Sequence, residues 1–251
     1  MKHLKKVLAA AAATMAMSGS ALANSPINID GVVWTPGPFN AFSLDVNQII
    51  NGGTGEVTGY GAITQINGVT NFCSGCALIF SFNSFTPFGA VTLPSFTGGG
   101  TTIGYTGGVV NVYATTNATA VADAAANAVT AADLAAAAMP GGSKDFLNLT
   151  GHPTGVNGIS FTGTANPITG WLTGGGSLDV MGGDAANNFN TNTIPNGADI
   201  SFSETFTEYT PDLLNAIGTG TFHSYTIPEP ASVAMVGLGL LGLAMSRRRR
   251  S

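Results

Sequence analysis

Short runs of apolar residues that alternate with polar ones recur along the chain, and glycine- or asparagine-rich turns separate them. The alternation is clear at residues 42–47 and again at residues 78–82. Because successive side chains of a β-strand point to opposite faces, a period of two is typical of half-buried strands. Aromatic and β-branched residues, which favour strands, fill these runs. The chain is therefore predicted to consist mainly of short antiparallel strands.

The predicted strands share this alternation and end at glycine, proline or asparagine. They cover residues 28–35, 42–47, 56–66, 78–82, 103–105, 110–114, 145–150, 158–164, 170–173, 177–181, 198–209 and 220–226. Gly107 and Gly108 are predicted to form the turn of a hairpin between two of these strands. Many short strands with such turns indicate an all-β fold, an antiparallel β-sandwich or jelly-roll-like domain.

One segment, residues 119–139, departs from this pattern because alanine dominates it and it ends at Pro140-Gly141-Gly142. High alanine content followed by a proline-glycine stop predicts a helix. Asp123, Asn127 and Asp133 interrupt its apolar surface, which argues against a membrane role. The segment is predicted to be a helical insertion that packs on the sheet or lies over its end.

The first 23 residues have the organisation of a secretory signal peptide. Three lysines lie within residues 1–6, a short apolar stretch covers residues 7–17, and Ala21-Leu22-Ala23 provides an A-x-A cleavage site. The apolar stretch is too short to span a bilayer. We expect the Sec translocon and signal peptidase to act here, with cleavage after Ala23 and an exported chain that begins at Asn24.

The exported part, residues 24–226, is acidic and almost free of basic residues. It contains one lysine, Lys144, no arginine, and 12 acidic residues, so its formal net charge is −11. Such a domain cannot neutralise a phosphate backbone, and nucleic acid is excluded as a partner. The sequence leaves divalent cations, cationic surfaces and neutral polysaccharide open as partners. Alternatively, the negative charge only keeps the domain soluble.

The C-terminal residues 227–251 form three consecutive blocks. Pro228-Glu229-Pro230 precedes an apolar run at residues 231–245, and Arg247, Arg248, Arg249 and Arg250 follow it. The run is short for a transmembrane helix, but flanking Ile227 and snorkelling arginines extend its reach. Four arginines predict a cytoplasmic stop on that side of the membrane. The prolines keep the preceding segment extended and accessible to a protease.

This order of blocks resembles the PEP-CTERM sorting signal of Gram-negative bacteria. The resemblance covers about a tenth of the chain. It implies that Pro228, Glu229 and Pro230 are the motif recognised by an exosortase, and that the protein is anchored in the inner membrane before processing. It also implies a destination at the cell surface or in the extracellular matrix, in association with exopolysaccharide. The body of the chain resembles, more loosely, the Gly/Thr/Asn-rich β domains found in such proteins.

Cys73 and Cys76 are the only cysteines in the sequence. In an exported protein such a pair is expected to form a disulfide, here across a very small loop before the next strand. A thioredoxin-type redox motif would need a preceding βαβ pattern, and zinc would need further ligands. Free or metal-bound thiols and redox activity are the alternatives.

Glu204 and Glu208 fall on one face of the same predicted strand as Phe202 and Phe206. Two carboxylates on one face suggest a glycosidase acid and nucleophile. Residues four apart along a strand are separated by roughly 13 Å, however, which exceeds the separation that these mechanisms use. A solvated strand end is the preferred interpretation, and no catalytic residue is predicted.

Two other polar features are weaker candidates. Asp184, in an asparagine-rich loop at residues 182–192, is a calcium candidate, although its spacing matches neither an EF-hand nor a nonapeptide repeat and turn chemistry explains the same composition. His152 and His223 lie outside any nucleophile-elbow motif. Because phosphate-binding and dinucleotide fingerprints are also absent from the sequence, we expect no cofactor and no enzymatic activity.

Three functions follow from these observations. The first is a non-enzymatic surface or matrix protein that is sorted through its tail. The second is a permanently anchored membrane protein with its domain on the periplasmic side. The third is a secreted β-sandwich domain that binds or acts on carbohydrate.

Overall fold

The computed structural model describes residues 26–37, 39–89, 101–125, 141–155, 157–165, 171–208 and 215–225. The predicted signal peptide at 1–23, the predicted tail at 227–251 and residues 126–139 of the alanine-rich segment lie outside these ranges. The eleven strands of the described residues all pair in antiparallel fashion. They are β1 Ile27–Ile29, β2 Val32–Trp34, β3 Asn40–Ile50, β4 Val57–Ile66, β5 Ala77–Pro87, β6 Thr101–Thr115, β7 Lys144–Gly151, β8 Ile159–Ala165, β9 Leu172–Gly182, β10 Ile200–Glu208 and β11 Asn215–Ser224.

Strands β3 to β11 form one sheet that closes on itself. Its order is β10-β11-β3-β4-β5-β6-β7-β9-β8, and two additional pairings, β10 with β9 and β6 with β8, complete the ring. Strands β7 and β8 both lie between β6 and β9, so they share one of the eight places in the ring. An eight-place barrel has an interior that side chains nearly fill or that holds one small ligand. The predicted all-β antiparallel class is confirmed, in a closed barrel-like form.

Strand β6 runs without a break through Gly107 and Gly108, so the hairpin predicted there is wrong. Its first part, up to Thr106, pairs with β8, and its second part, from Val109, pairs with β7. The two glycines lie at this change of partner and have φ angles of 71° and 100°. Residues without a Cβ adopt such angles at no steric cost. The strand therefore bends at this point instead of turning back.

Strand β9 is likewise continuous, although two strands were predicted there. The three glycines expected to interrupt it, Gly174, Gly175 and Gly176, pair with β8 on one side and β10 on the other. Neighbouring atoms occupy the positions that side chains on Gly174 and Gly176 would take. A Cβ on Gly174 would overlap the Phe161 ring, and one on Gly176 would overlap the carbonyl oxygen of Ser160 and lie 2.9 Å from Cε1 of Phe202. Glycine is needed at these two positions because rings and backbone of neighbouring strands approach closely.

The first predicted strand, residues 28–35, is instead the small hairpin of β1 and β2. Asp30 and Gly31 form its turn and both have positive φ, 56° and 88°. Two consecutive residues with positive φ are what the favoured two-residue hairpin turn requires.

Aromatic side chains close one end of the barrel, where β3 begins and β11 ends. Trp34 of the hairpin stacks on Phe189 with ring centroids 5.5 Å apart. The ring of Phe146 meets the Trp34 ring edge-on, with centroids 6.1 Å apart. Phe42 of β3 meets Phe189 edge-on, with centroids 5.7 Å apart. All four side chains are buried. The hairpin and the short helix α2, residues Ala186–Phe189, thus supply the core at this end.

The alanine-rich insertion begins as predicted. Helix α1 is described over Ala118–Ala125 and lies beside β4 and β5. The side chain of Asn117 accepts a hydrogen bond from the N–H of Thr119, a typical N-cap arrangement. In the described residues no helix has the length and apolarity that a membrane crossing demands. The span predicted at 231–245 lies outside them.

Candidate functional site

The residues predicted for export and sorting all lie outside the described ranges, so their structural roles stay predictions. They are Ala21 and Ala23 at the signal cleavage site, the motif Pro228, Glu229 and Pro230, and the terminal Arg247, Arg248, Arg249 and Arg250. What the structure does describe is the exported domain, and its most unusual polar group is Glu204.

Glu204 points into the barrel, so its interpretation as a solvated strand end is wrong. Along β10, Phe202, Glu204 and Phe206 alternate with the more exposed Ser203 and Thr205, and Phe206 is fully buried. Both residues paired with Glu204 across the sheet lack a side chain. They are Gly174 on β9 and Gly220 on β11. The carboxyl group packs against the first of these, because a Cβ on Gly174 would lie 2.7 Å from Oε1 of Glu204.

Burial raises the pKa of Glu204 from its ordinary 4.5 to about 8. The cause is desolvation, since the low-polarity interior disfavours the charged form and no described cation offsets that penalty. At neutral pH the group is therefore mostly a neutral carboxylic acid that can donate a hydrogen bond. The residue is half-buried by accessible surface, and part of that surface faces a cavity inside the barrel.

This cavity contains about 430 Å³ of space not filled by atoms, some of it open to solvent. Its wall is apolar except for Ser203 and Glu204. The residues that line it come from all eight places in the ring: Leu44, Val46, Val57, Phe80, Phe82, Phe85, Val110, Phe161, Leu178, Phe202, Ser203, Glu204 and Phe222. Glu204 is the only ionisable side chain on the wall.

Tyr105 is the titratable neighbour of Glu204. Burial, and after it the negative charge of Glu204, raise the pKa of Tyr105 to about 12. Its ring packs 5.3 Å from that of Phe161, which in turn stacks on Phe202 at 5.3 Å. A carboxyl and a phenol thus share an aromatic environment, and both are neutral at pH 7.

Glu208, the proposed second carboxylate of a glycosidase pair, is the last residue of β10. Its side chain lies outside the described part of the structure. The geometry of such a pair is therefore untested.

His152 is held by two acceptors and does not face a serine or cysteine nucleophile in the described residues. Its Nδ1 lies 2.8 Å from an oxygen of Asp179, and its Nε2 lies 3.0 Å from the carbonyl oxygen of Asn196. Both ring nitrogens are thereby engaged. The contact ties β9 to the turn at Pro195–Gly197.

His223 lies at the end of β11, close to where the predicted tail begins. Its ring stacks on Phe39 with centroids 4.8 Å apart, and Tyr225 meets Phe39 edge-on at 5.5 Å. Phe39 and Tyr225 are 44% and 39% exposed. His152 and His223 therefore lie in separate environments.

Asp184, the calcium candidate, lies near Asp30 and Lys144. Nζ of Lys144 is 2.6 Å from Oδ1 of Asp30. Asp30 raises the pKa of Asp184, through a hydrogen bond that it accepts from the protonated form and through its own charge. The described residues contain no cluster of three metal-ligating side chains. A calcium ion at Asp184 stays a prediction.

Asp199, which sequence reasoning did not single out, organises the polar loop that follows Asp184. Its Oδ1 accepts hydrogen bonds from the N–H groups of Thr191 and Asn192, both at 2.6 Å. Its Oδ2 accepts one from the N–H of Val180 at 2.8 Å. An Asp one residue before a strand gives no motif signal, so only the structure identifies this role.

Cys73 and Cys76 lie at disulfide distance, with Cα atoms 5.2 Å apart. Their loop precedes β5 and contacts the hairpin, because Val32 bridges to Cys73 and the N–H of Val33 donates to the carbonyl of Phe72. The predicted disulfide therefore sits where the hairpin meets the barrel.

Comparison with known proteins locates one match. Residues 226–250 match the family model described as PEP-CTERM protein-sorting motif. No curated protein and no solved structure matches the chain. The motif implies export, a membrane-anchored C-terminus before processing, and an exosortase as the processing partner. The chain therefore carries, behind its barrel-like domain, a C-terminal PEP-CTERM sorting motif, as its Pro-Glu-Pro, apolar and arginine blocks predicted.

Proposed function

We propose that this chain is a non-enzymatic component of the cell surface or extracellular matrix that exosortase processing releases from its membrane anchor. The single observation that carries the proposal is the sorting motif at residues 226–250. Association with exopolysaccharide is the finer part of the proposal, and it suits a polar domain with few charges.

Several features of the described domain support a non-enzymatic role. Glu204 is a neutral acid inside an apolar barrel at pH 7. Both nitrogens of His152 already have partners. A general base needs a free lone pair within reach of a substrate proton.

Sorting is tested by the mass of the mature protein. Surface material from cells is expected to lack residues 247–250, with a new C-terminus near Pro228–Pro230. Replacing Pro228, Glu229 and Pro230 by alanine is expected to leave the full-length chain in the membrane fraction. Glu56→Ala, in the turn between β3 and β4, is the matched control and is expected to be processed normally.

Two results would contradict the proposal. Recovery of only full-length protein from the inner membrane of unmodified cells would favour the permanently anchored alternative. Glycan hydrolysis that disappears in Glu204→Gln would instead favour the carbohydrate-active alternative.

A further inference from the structure

The end of the barrel where β3 begins and β11 ends carries aromatic side chains that stay in contact with solvent. Phe39 directly precedes β3, and Tyr225 directly follows β11. Their rings meet edge-on with centroids 5.5 Å apart, yet the two residues are 44% and 39% exposed. His223 stacks on Phe39 and so fixes the position of its ring. The pair is thus an ordered surface rather than two separate exposed residues.

The turn that follows β4 extends this surface. It lies beside the start of β3, because the N–H of Asn67 donates to the carbonyl of Ala41 and the Asn67 side chain accepts from the N–H of Ala41. The same turn contains Val69, which is 48% exposed. We call Phe39, Val69 and Tyr225 the apolar edge of the barrel.

The segments that build the apolar edge are uncharged, although the exported domain as a whole is strongly acidic. Residues 31–44, 57–72 and 213–225 contain no Asp, Glu, Lys or Arg. The acidic side chains that gather around Lys144 lie instead beside β7, which is across the ring from β3. The apolar edge can therefore leave water without desolvating a carboxylate of these segments.

The membrane-anchored tail begins beside the apolar edge. The sorting motif starts at residue 226, directly after Tyr225, and the predicted span starts at residue 231. Because a chain extends at most about 3.5 Å per residue, Tyr225 lies within about 20 Å of the start of that span. The 15 residues of the span cover about 22 Å as a helix, which is less than the roughly 30 Å of a hydrocarbon layer. The span is therefore expected to draw its flanking residues, and the apolar edge with them, toward the bilayer.

A lipid surface suits side chains of this kind. Tyrosine is enriched at the headgroup level of membranes, and exposed phenylalanine and valine gain from leaving water. From this arrangement we propose that the apolar edge docks on the membrane that holds the tail and is freed when the tail is processed. The inference rests on the membrane-anchored tail of the proposed function.

The test places the full chain in phosphatidylcholine vesicles whose acyl chains carry bromine, a short-range quencher of tryptophan fluorescence, or lack it. Phe39→Trp puts a reporter on the apolar edge. Phe88→Trp is the matched control, because Phe88 follows β5 at the opposite end of the barrel and is 53% exposed. The emission of the unmodified chain in the same vesicles is subtracted. Brominated lipid is expected to lower the added emission at least about twofold for Phe39→Trp and to leave that for Phe88→Trp unchanged.

A tether alone would bring the reporter near the lipid without docking. Val69→Ser with Tyr225→Ser, added to Phe39→Trp, separates the two cases, because it removes apolar surface and leaves the tail in place. This triple variant is expected to lose most of the quenching. Quenching that survives in it, or equal quenching at positions 39 and 88, would overturn the proposal.

Two further outcomes would also contradict docking on lipid. If position 39 were unquenched by brominated lipid but shielded from iodide in the water, a second copy of the chain or another protein would cover the apolar edge. Flotation of the vesicles reports the anchor independently. A chain that floats with the vesicles without quenching at position 39 would refute the docking and leave the anchor intact. A chain that does not float would refute the anchor, and the docking with it.

Discussion

The ring of Phe80 lies over Gly61, the residue directly opposite it on the neighbouring strand. A Cβ added to Gly61 would overlap the backbone carbonyl oxygen of Asp45 and stand 2.7 Å from Cζ of this ring, closer than such atoms approach in proteins. Gly61→Ala is therefore expected to displace both the ring and the backbone of β3, and to lower the free energy of unfolding by about 1–3 kcal/mol. Urea denaturation measures this change.

Gly141→Ala is the matched control for that substitution. A Cβ at Gly141 would have no atom within 4 Å. Its effect is expected to stay within about 0.5 kcal/mol. If Gly61→Ala and Gly141→Ala had equal stabilities, the atoms around Gly61 would have shifted without cost. Close packing against glycine would then not contribute to the stability of the barrel.

Glu204 is expected to make the domain less stable as pH rises. Its folded pKa of about 8 lies above the ordinary 4.5, so folding favours the neutral form. The full stability is present below pH 4.5, declines as the unfolded chain ionises and reaches its lower level above pH 8. The total loss is on the order of 5 kcal/mol. Urea unfolding of the unmodified domain from pH 4.5 to pH 8.5 measures it.

Glu204→Gln removes this titration and is expected to flatten the decline over the same pH range. Above pH 8 the variant is expected to be the more stable protein, because glutamine carries no charge to desolvate. If the two proteins lose stability in parallel, Glu204 is ionised in the folded state at neutral pH, and the account of the cavity is wrong.

The sequence predicted the strand content because that depends on a local period of two. It predicted both ends of β3, β4, β7, β8 and β10 to within three residues, whereas β5 extends to Pro87, beyond the predicted 78–82. The glycines at 107–108 and 174–176 led to wrong predictions, because glycine occurs both in turns and at positions where side chains of other strands need room. The difference is decided by Phe85, Phe161 and Phe202, which come from other strands. Contacts between distant segments leave no mark on local composition.

The direction of Glu204 was available in the sequence, since it has the same parity as Phe202 and Phe206 on one strand. The separation of Glu204 from Glu208 argued against a catalytic pair, and a solvated strand end was the preferred interpretation. That interpretation is wrong for Glu204 because Gly174 and Gly220 leave room for a carboxyl group inside. Asp199 was invisible for a different reason. Its three donors lie 7 to 19 residues away, beyond any local motif.

Cys73→Ser with Cys76→Ser is expected to destabilise the domain modestly. A disulfide acts largely by restricting the unfolded chain, and a loop of about four residues corresponds to about 2 kcal/mol. Thermal unfolding of the double variant and of the unmodified protein, each with and without reductant, measures the effect. Reductant is expected to lower the melting temperature of the unmodified protein alone. If reductant lowered the melting temperature of both proteins equally, the loss of stability would not come from these two cysteines.

Asp199→Ala is expected to disrupt the loop between β9 and β10. Three backbone N–H groups, those of Val180, Thr191 and Asn192, lose their acceptor at once. The hydrogen bond of Val180 is buried, whereas those of Thr191 and Asn192 are only partly buried and water can replace the carboxylate there. One unsatisfied buried donor costs about 1–3 kcal/mol, so a loss of about that size is expected. Asp199→Asn keeps one acceptor oxygen and is expected to lose less.

Amide hydrogen exchange distinguishes this local role from general destabilisation. In Asp199→Ala, the amides of Val180, Thr191 and Asn192 are expected to lose protection more than those of β4, on the far side of the barrel. Asp45→Ala, on the exposed face of β3, is the control and is expected to change neither stability nor these amides by a measurable amount. Uniform loss of protection throughout the sheet would mean that Asp199 supports the whole barrel. Unchanged protection at the three amides would mean that water replaces the carboxylate, and the loop would then depend on its turns alone.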